Sequence, residues 1–514
     1  MNREKTLRLI LGDQLNAGHS WFRHRSRDVT YVLMEVRQET DYVKHHVQKV
    51  AGFFAAMRRF ARELEEAGHR VQYLPLDDPQ NEQSFEANLK HLIEKHKFTR
   101  FEYQHPDEYR LDRQLQDIAG NLSVPVAAVD TEHFLTAREE LQDFFKGKKR
   151  YLMESFYRAM RKKHDVLLED GGPAGGKWNF DTENRNPYDD AVKIPPPKKF
   201  DNDVSDIAEM IAAAGVKTFG EIDPPRFLWP ISRSQSLELL DDFLRNRLPH
   251  FGVYQDAMTR ESWSLFHSRL SFALNTKMLH PMEVIRAAIR YAEDGRTREV
   301  ELAALEGFVR QILGWREYMR GIYWAKMPEY ETMNFFDHRA ALPDYYWSAA
   351  TRMNCIHQAV GQSLKYAYAH HIQRLMVTGN FALLAGVHPD AVDQWYLGIY
   401  IDAVQWVEIV NTRGMSQFAD GGIVATKPYV SSANYIRKMS DYCSACHYAA
   451  AKKNGSKACP FNSLYWDFLH RHRARLENNP RVAMMYRTLD RMKPENRKAI
   501  LAQAAQYKDH LEDL

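Results

Sequence analysis

Three of the chain's four cysteines fall in one short stretch, Tyr442 to Pro460, which reads YCSACHYAAAKKNGSKACP. Cys443 and Cys446 form a C-x-x-C clamp, and twelve residues intervene before Cys459. The fourth, Cys355, lies far upstream in RMNCIHQ. Four thiolates saturate a tetrahedral zinc site or hold each iron of one iron–sulfur cluster. A C-x-x-C spacing lets two thiolates meet one small centre without backbone strain. The Gly455-Ser456 turn lets the chain fold back so that Cys459 joins them. Ordinary reduced thiols are the plainer reading of a lone C-x-x-C, but here no cysteine is left over. A fold that uses all four must carry residue 355 to the 443–459 segment.

At 514 residues the chain should hold two or more domains. Its net charge is only +3, so a nucleic-acid surface must be a local patch. Four cysteines do not form a secreted disulfide framework. The opening MNREKTLRLILGDQL lacks the apolar core of a signal peptide, and no apolar run reaches the length of a membrane span. A cytoplasmic location, no membrane contact and a monomer are expected.

Residues 1–135 alternate strand and helix patterns. Thr6–Leu11, Val29–Val36, Val71–Leu76, Arg100–Gln104 and Pro125–Val129 read as strands. Val43–Ala67, Phe85–Lys97 and Tyr109–Gly120 read as helices. This is the α/β pattern of a doubly wound parallel sheet, whose ligands sit beyond the strands' carboxyl ends. Gly12, Asp13, Gln14 and Glu35 occupy those ends. There is no GxGxxG and no Walker lysine, which argues against an ordinary nucleotide-phosphate site. Residues 136–205 form a breaker-rich connector, with GGPAGGK and IPPPKK around WNFDTENRNPYDD. The basic runs KGKKR (146–150) and RKK (161–163) are candidates for phosphate contact. Residues 206–514 read as a large all-α domain, with amphipathic stretches at Ser234–Arg247, Pro281–Glu293, Glu299–Arg320, Ile356–Thr378 and Pro389–Val410.

Three segments of that half resemble the photolyase/cryptochrome family: HSRLSFALNTKMLHP (267–281), FVRQILGWREYMR (308–320) and HHIQRLMVTGN (370–380). The first departs from the family pattern, with His267 for Thr and Phe-Ala for Pro-Tyr. LGDQL, WNFDTENR, RMNC, the His370-His371 pair and the cysteine spacing narrow the likeness to the iron–sulfur bacterial cryptochromes and (6-4) photolyases. The resemblance runs through essentially the whole chain.

It implies FAD in the α-domain, held by Tyr254, His267, Ser268, Arg269, Leu270, Ser271, Gln311, Arg374, Asp402 and Glu408. It implies a [4Fe-4S] cluster on Cys355, Cys443, Cys446 and Cys459, with a structural role. It implies a 6,7-dimethyl-8-ribityllumazine antenna at Gly12, Asp13, Gln14, Glu35 and Tyr42. His370 and His371 are adjacent on a helix, so only one need face the cavity. His371 is the expected proton donor to a (6-4) lesion, with a supporting role for His370. Glu408 aligns with the position facing flavin N5, and Tyr429 is a lesion-pocket candidate. The family tryptophan four residues beyond Glu408 is Thr412 here. Trp395, Tyr396 and Trp347 are therefore the expected electron relay, with core packing as the plainer reading of each. Asp181 and Arg185 are candidates for contact with DNA, with Mg2+ as a candidate ion.

The function implied is light-dependent repair of (6-4) pyrimidine–pyrimidone photoproducts, on ultraviolet-damaged DNA with the lesion flipped out. A blue-light photoreceptor with the same cofactors is the alternative. A cluster-containing nucleic-acid module similar to the primase large subunit, and zinc in place of iron–sulfur, stand behind it.

Overall fold

Leu7 and Leu9 of the first strand are wholly buried on one side, and Ile10 on the other. A strand covered on both faces belongs at the centre of a layered α/β sheet. In the computed structural model, which describes residues 4–148, 150–294 and 299–514, it does lie there. Five parallel strands, β1 (Thr6–Leu9), β2 (Val29–Met34), β3 (Arg70–Leu74), β4 (Arg100–Gln104) and β5 (Val126–Val129), pair in the order β3-β2-β1-β4-β5. The order reverses between β1 and β4, so the loops after those two strands flank a crevice.

Helix α1 (Val47–Glu66) covers one face, and α2 (Phe85–His96) and α3 (Tyr109–Asn121) cover the other. The two faces make separate cores. The α1 core is continuous with the interior of the helical half. Gly52 of α1 permits the contact: a Cβ there would lie 3.1 Å from both Ile401 and Phe227. Polar bonds lock the same junction. The Gln48 amide donates to the carbonyls of Glu221 at 2.6 Å and Lys365 at 2.7 Å.

The connector is more ordered than its breakers suggest. Met153–His164 forms α4, packed through Tyr157 against Gly314. In the run RKK, Lys162 and Lys163 are exposed, but Arg161 is not available to a phosphate. Arg161 is buried and donates to the carbonyls of Val166, Leu167 and Trp178. Lys163 pairs with Glu140 at 2.5 Å. In KGKKR, Lys149 lies outside the described residues, and Lys148 sits 4.2 Å over the Phe144 ring.

The helical half includes α5 (Arg233–Asn246), α6 (Ser271–Asn275), α7 (Pro281–Glu293) and α8, residues 302–326. Two stretches expected as single helices are broken. The first divides into α9 (Asn354–Tyr366) and α10, residues 371–385, at Ala367, whose φ is +50°. The second divides into α11 (Pro389–Ile399) and α12, residues 405–416, at the extended Tyr400. The breaks stabilise each other, since Ile401 N–H donates to Ala367 C=O at 2.9 Å. Apolar spacing runs on through both turns, which is why periodicity alone joins them. Ala433–Met439 (α13) and Pro460–Arg471 (α14) follow.

Helices α8, α10 and α12 each widen for seven residues into turns closed by i→i+5 hydrogen bonds: Arg310–Arg316, Gln373–Gly379 and Val410–Ser416. Such turns re-aim side chains at functional sites. Gly379 lets two of them touch, because a Cβ there would meet Ser416 Oγ at 2.1 Å and Arg374 C=O at 2.7 Å. Gly379→Ala should therefore destabilise the protein by about 1–3 kcal/mol through overpacking, read as a lowered urea midpoint.

Candidate active site

The two helix breaks place Arg374 beside Asp402. One guanidinium nitrogen lies 3.1 Å from the carboxylate, and Nε donates to Ala369 C=O at 2.7 Å. Ser271 donates to the same carboxylate at 2.6 Å, and Asn275 Nδ2 to the Asp402 carbonyl at 2.8 Å. The Arg374 guanidinium rests 3.8 Å from the centre of the Tyr400 ring. So α6, α10 and the 400–404 turn converge on one ion pair.

Around it lies a set of buried polar atoms without protein partners: His267 Nε2, both ring nitrogens of His370, and Arg269 Nε. His267 and His370 stack at 4.4 Å. His370 is not on the helix but just before it, and His371 opens α10. His371 and Gln311 are exposed although their neighbours in sequence are largely buried, so both face an internal space. Burial, then Arg374, lowers His371 to about 4. Burial, then Arg247, lowers His267 to about 3. His370 is held well below the ordinary range by burial and its histidine neighbours.

Ser268, Arg269 and Leu270 form the turn into α6, with Arg269 at a φ of +56°. Arg269 is buried beside Arg247, which lowers its pKa to about 10, second to desolvation. Arg247, not singled out by the sequence, bonds Asp242 at 3.0 Å and the carbonyls of Leu265 and Pro196 at 2.6 Å each. Two buried guanidiniums with one carboxylate leave a surplus of positive charge at this turn. Tyr254 stands behind it, stacked on Phe266, with its hydroxyl spent on Asp189 at 2.7 Å.

On α12, Glu408 is buried and accepts a 2.6 Å bond from Thr412. Burial, then the nearby Asp393, pushes its carboxyl well above the usual range. Tyr429 feels the charges of Arg185, Arg481 and Asp181, so these groups share one neighbourhood. Asp181 is paired with Arg185 and, at 3.2 Å, with Arg310.

A cavity opens at the crevice between β1 and β4. Gly12, Asp13 and Tyr42 line it, together with Glu39, Lys49 and Glu108, which the sequence did not single out. Asp13 and Asp107 clamp the buried Lys277 at 3.0 and 2.8 Å. Gln14 and Glu35 are not part of this lining. Gln14 bridges Leu11 N–H at 3.0 Å and Gln104 C=O at 3.2 Å. Glu35 is consumed by Arg58 at 2.7 Å, Tyr73 at 2.6 Å and Leu76 N–H at 2.9 Å. The far wall of this cavity is Ala403–Trp406, the strap between Asp402 and Glu408.

Aromatic rings run outward from the ion pair. Tyr400 lies 5.6 Å from Tyr396, Tyr396 lies 5.1 Å from Trp395, and Trp395 lies 5.1 Å from Tyr346. Trp347 is 37% exposed and packs on Phe219 at 5.0 Å, so the ring beside Trp395 is Tyr346. The four cysteines line one apolar pocket with Met353, Ile436 and Phe461. Gly455, at a φ of +79°, makes the return turn.

His267, His370 and His371 set a pH dependence. Their folded-state values lie below the unfolded value near 6.5, so the unfolded chain binds more protons as pH falls. Their contribution is intact above pH 6.5 and is lost as pH falls toward 4. Urea midpoints should drop over that window, and His370→Gln should flatten the drop.

Residues 8–227 match the family described as deoxyribodipyrimidine photo-lyase-related protein. A (6-4) photolyase from Agrobacterium fabrum is 43% identical over 506 residues, covering 97% of this chain and 98% of that one. Two solved structures share the fold. A bacterial class III photolyase from Agrobacterium tumefaciens gives a TM-score of 0.55 at 16% identity, over 84% of this chain and 82% of that one. A cryptochrome from Synechocystis gives 0.58 at 13% identity, over 85% and 86%. With 43% identity across nearly all of both chains, this protein belongs to the photolyase family, in its deoxyribodipyrimidine photo-lyase-related branch.

Proposed function

We propose that this protein repairs ultraviolet-damaged DNA under light, with a (6-4) pyrimidine–pyrimidone lesion flipped from the duplex to lie against His371. The observation that carries this reading is His371 itself. It is an exposed imidazole at the start of α10, one turn from the Arg374–Asp402 pair and beside a stacked histidine pair with unpartnered nitrogens.

The residues present fit FAD. The Arg247–Arg269 surplus suits a pyrophosphate at the turn into α6, and Arg374 with Asp402 offers a donor and an acceptor to a ring edge. When bound, the flavin supplies the photo-excited electron. The protein's part is placement and proton control. His371 is neutral in the free protein at pH 7, and a lesion phosphodiester brought against it would favour the imidazolium and ready a ring nitrogen to give up a proton. Tyr396, Trp395 and Tyr346 form a ring-to-ring path toward exposed Trp347. Arg185, Lys427 and Arg481, near Tyr429, offer a cationic rim for DNA phosphates. Mg2+ does not fit at Asp181, whose carboxylate is held by two guanidiniums.

All four thiols line one pocket, which offers one thiolate to each iron of a [4Fe-4S] cluster. The cavity beside β1 suits a planar antenna of the lumazine class, with Phe53 and Trp406 as apolar walls and Glu39, Tyr42 and Glu108 as polar partners.

Two outcomes test the assignment. Under blue light, purified protein should restore a (6-4)-containing oligonucleotide, and His371→Ala should slow this about 100-fold or more while retaining flavin. Flavin-bearing protein with no repair would favour the photoreceptor reading. Cys355→Ser should lower iron and sulfide content and the broad visible absorption together, and unchanged iron would remove the cluster.

A further inference from the structure

Helices α11 and α12 bury more acid than base. Asp393 on α11 is bonded by Arg413 Nε at 2.5 Å, and its other carboxylate oxygen is buried with no partner. Arg413 also holds the half-exposed Asp390 and donates to Met333 C=O at 2.8 Å. Among the described residues, Glu408, one turn before Arg413 on α12, has no cation in contact and only the Thr412 hydroxyl at 2.6 Å. The other charged or titratable groups that reach Glu408 are Lys49, Tyr42 and Tyr396. Lys49 is buried, donates to Leu397 C=O at 2.7 Å, and is shared with Glu108. On these two helices two buried carboxyl groups, Asp393 and Glu408, thus face one buried guanidinium, Arg413. Asp393 has the direct ion pair and therefore takes the negative charge, and Glu408 is left as the surplus acid.

We propose that Asp393 is a positioning residue that keeps Glu408 protonated, so that Glu408 presents an O–H to its ligand at neutral pH. Asp393 touches neither substrate nor cofactor. It acts by occupying the one guanidinium that could otherwise neutralise Glu408. Burial raises both carboxyl groups, Asp393 to about 7 and Glu408 well above the usual carboxylate range. The inference rests on the flavin reading above, because the ligand that Glu408 addresses is the flavin ring.

The test is a light-minus-dark infrared difference spectrum of the flavin-loaded protein, followed against pH. Wild type should show a protonated-carboxyl band at pH 8 that Glu408→Gln removes. Asp393→Asn should shift the midpoint of that band down by at least about one unit. Asp393→Glu should restore it, which a merely structural loss would not do. Asp390→Asn, at the exposed partner, should leave the midpoint in place. A pH 8 band that survives Glu408→Gln overturns the proposal, as does an Asp393→Asn protein that binds flavin with an unmoved midpoint. If Asp393→Asn does not fold, the wild-type and Glu408→Gln spectra decide: absence of the band at pH 8 overturns it. Purified wild type without flavin colour would instead overturn the reading beneath it.

Discussion

The Asp402 carboxylate is the constraint on which the helical half depends. It is buried, it pairs with Arg374 at 3.1 Å, and it accepts from Ser271 at 2.6 Å. Each partner comes from a different segment, and none of the three segments is a complete helix where it meets the others. A buried carboxylate is tolerated only when charge and hydrogen bonds surround it. Removing any one partner would leave charge or donors unpaired in the interior. The two helix breaks, at Ala367 and Tyr400, are the backbone's accommodation of that one group.

Ala403–Trp406 wall the crevice of the parallel sheet, and Asp402, just before this strap, pairs with Arg374 of the helical half. Lys49 stands in the wall as a shared cation, near Glu108 on one side and Glu408 and Asp402 on the other. Desolvation lowers it to about 8, so its charge depends on those three acids.

The sheet was legible because its strands are short apolar runs cut by turn residues, and all five lie within a residue or two of where the alternation puts them. The cysteines were legible by count and spacing. The helix breaks were not, because Ile356–Thr378 and Pro389–Val410 keep apolar spacing through the turns and nothing local marks Ala367 as left-handed. Glu35 misled for a related reason. A carboxylate at a strand's carboxyl end suggests a ligand, but its partner Arg58 lies a helix away in sequence. Arg247 and Asp393 carry no motif at all, and their weight comes from neighbours supplied by other helices.

The cysteine pocket and the histidines are mechanically one unit. Cys355 sits in the first turn of α9, whose thirteen residues span about 20 Å and end at the Ala367 break. A second connection runs through Tyr442, the residue before Cys443. Its carbonyl accepts from Asn354 Nδ2 at 2.7 Å, and its hydroxyl accepts from Gln373 Nε2 at 2.9 Å. Gln373 Oε1 in turn accepts from His370 N–H at 3.1 Å, fixing the backbone at the entrance to α10. A centre that gathers four thiolates thereby fixes both ends of the segment that presents His371. A cluster on those four thiols, as proposed above, would have a direct path to the site without any electron having to pass through it.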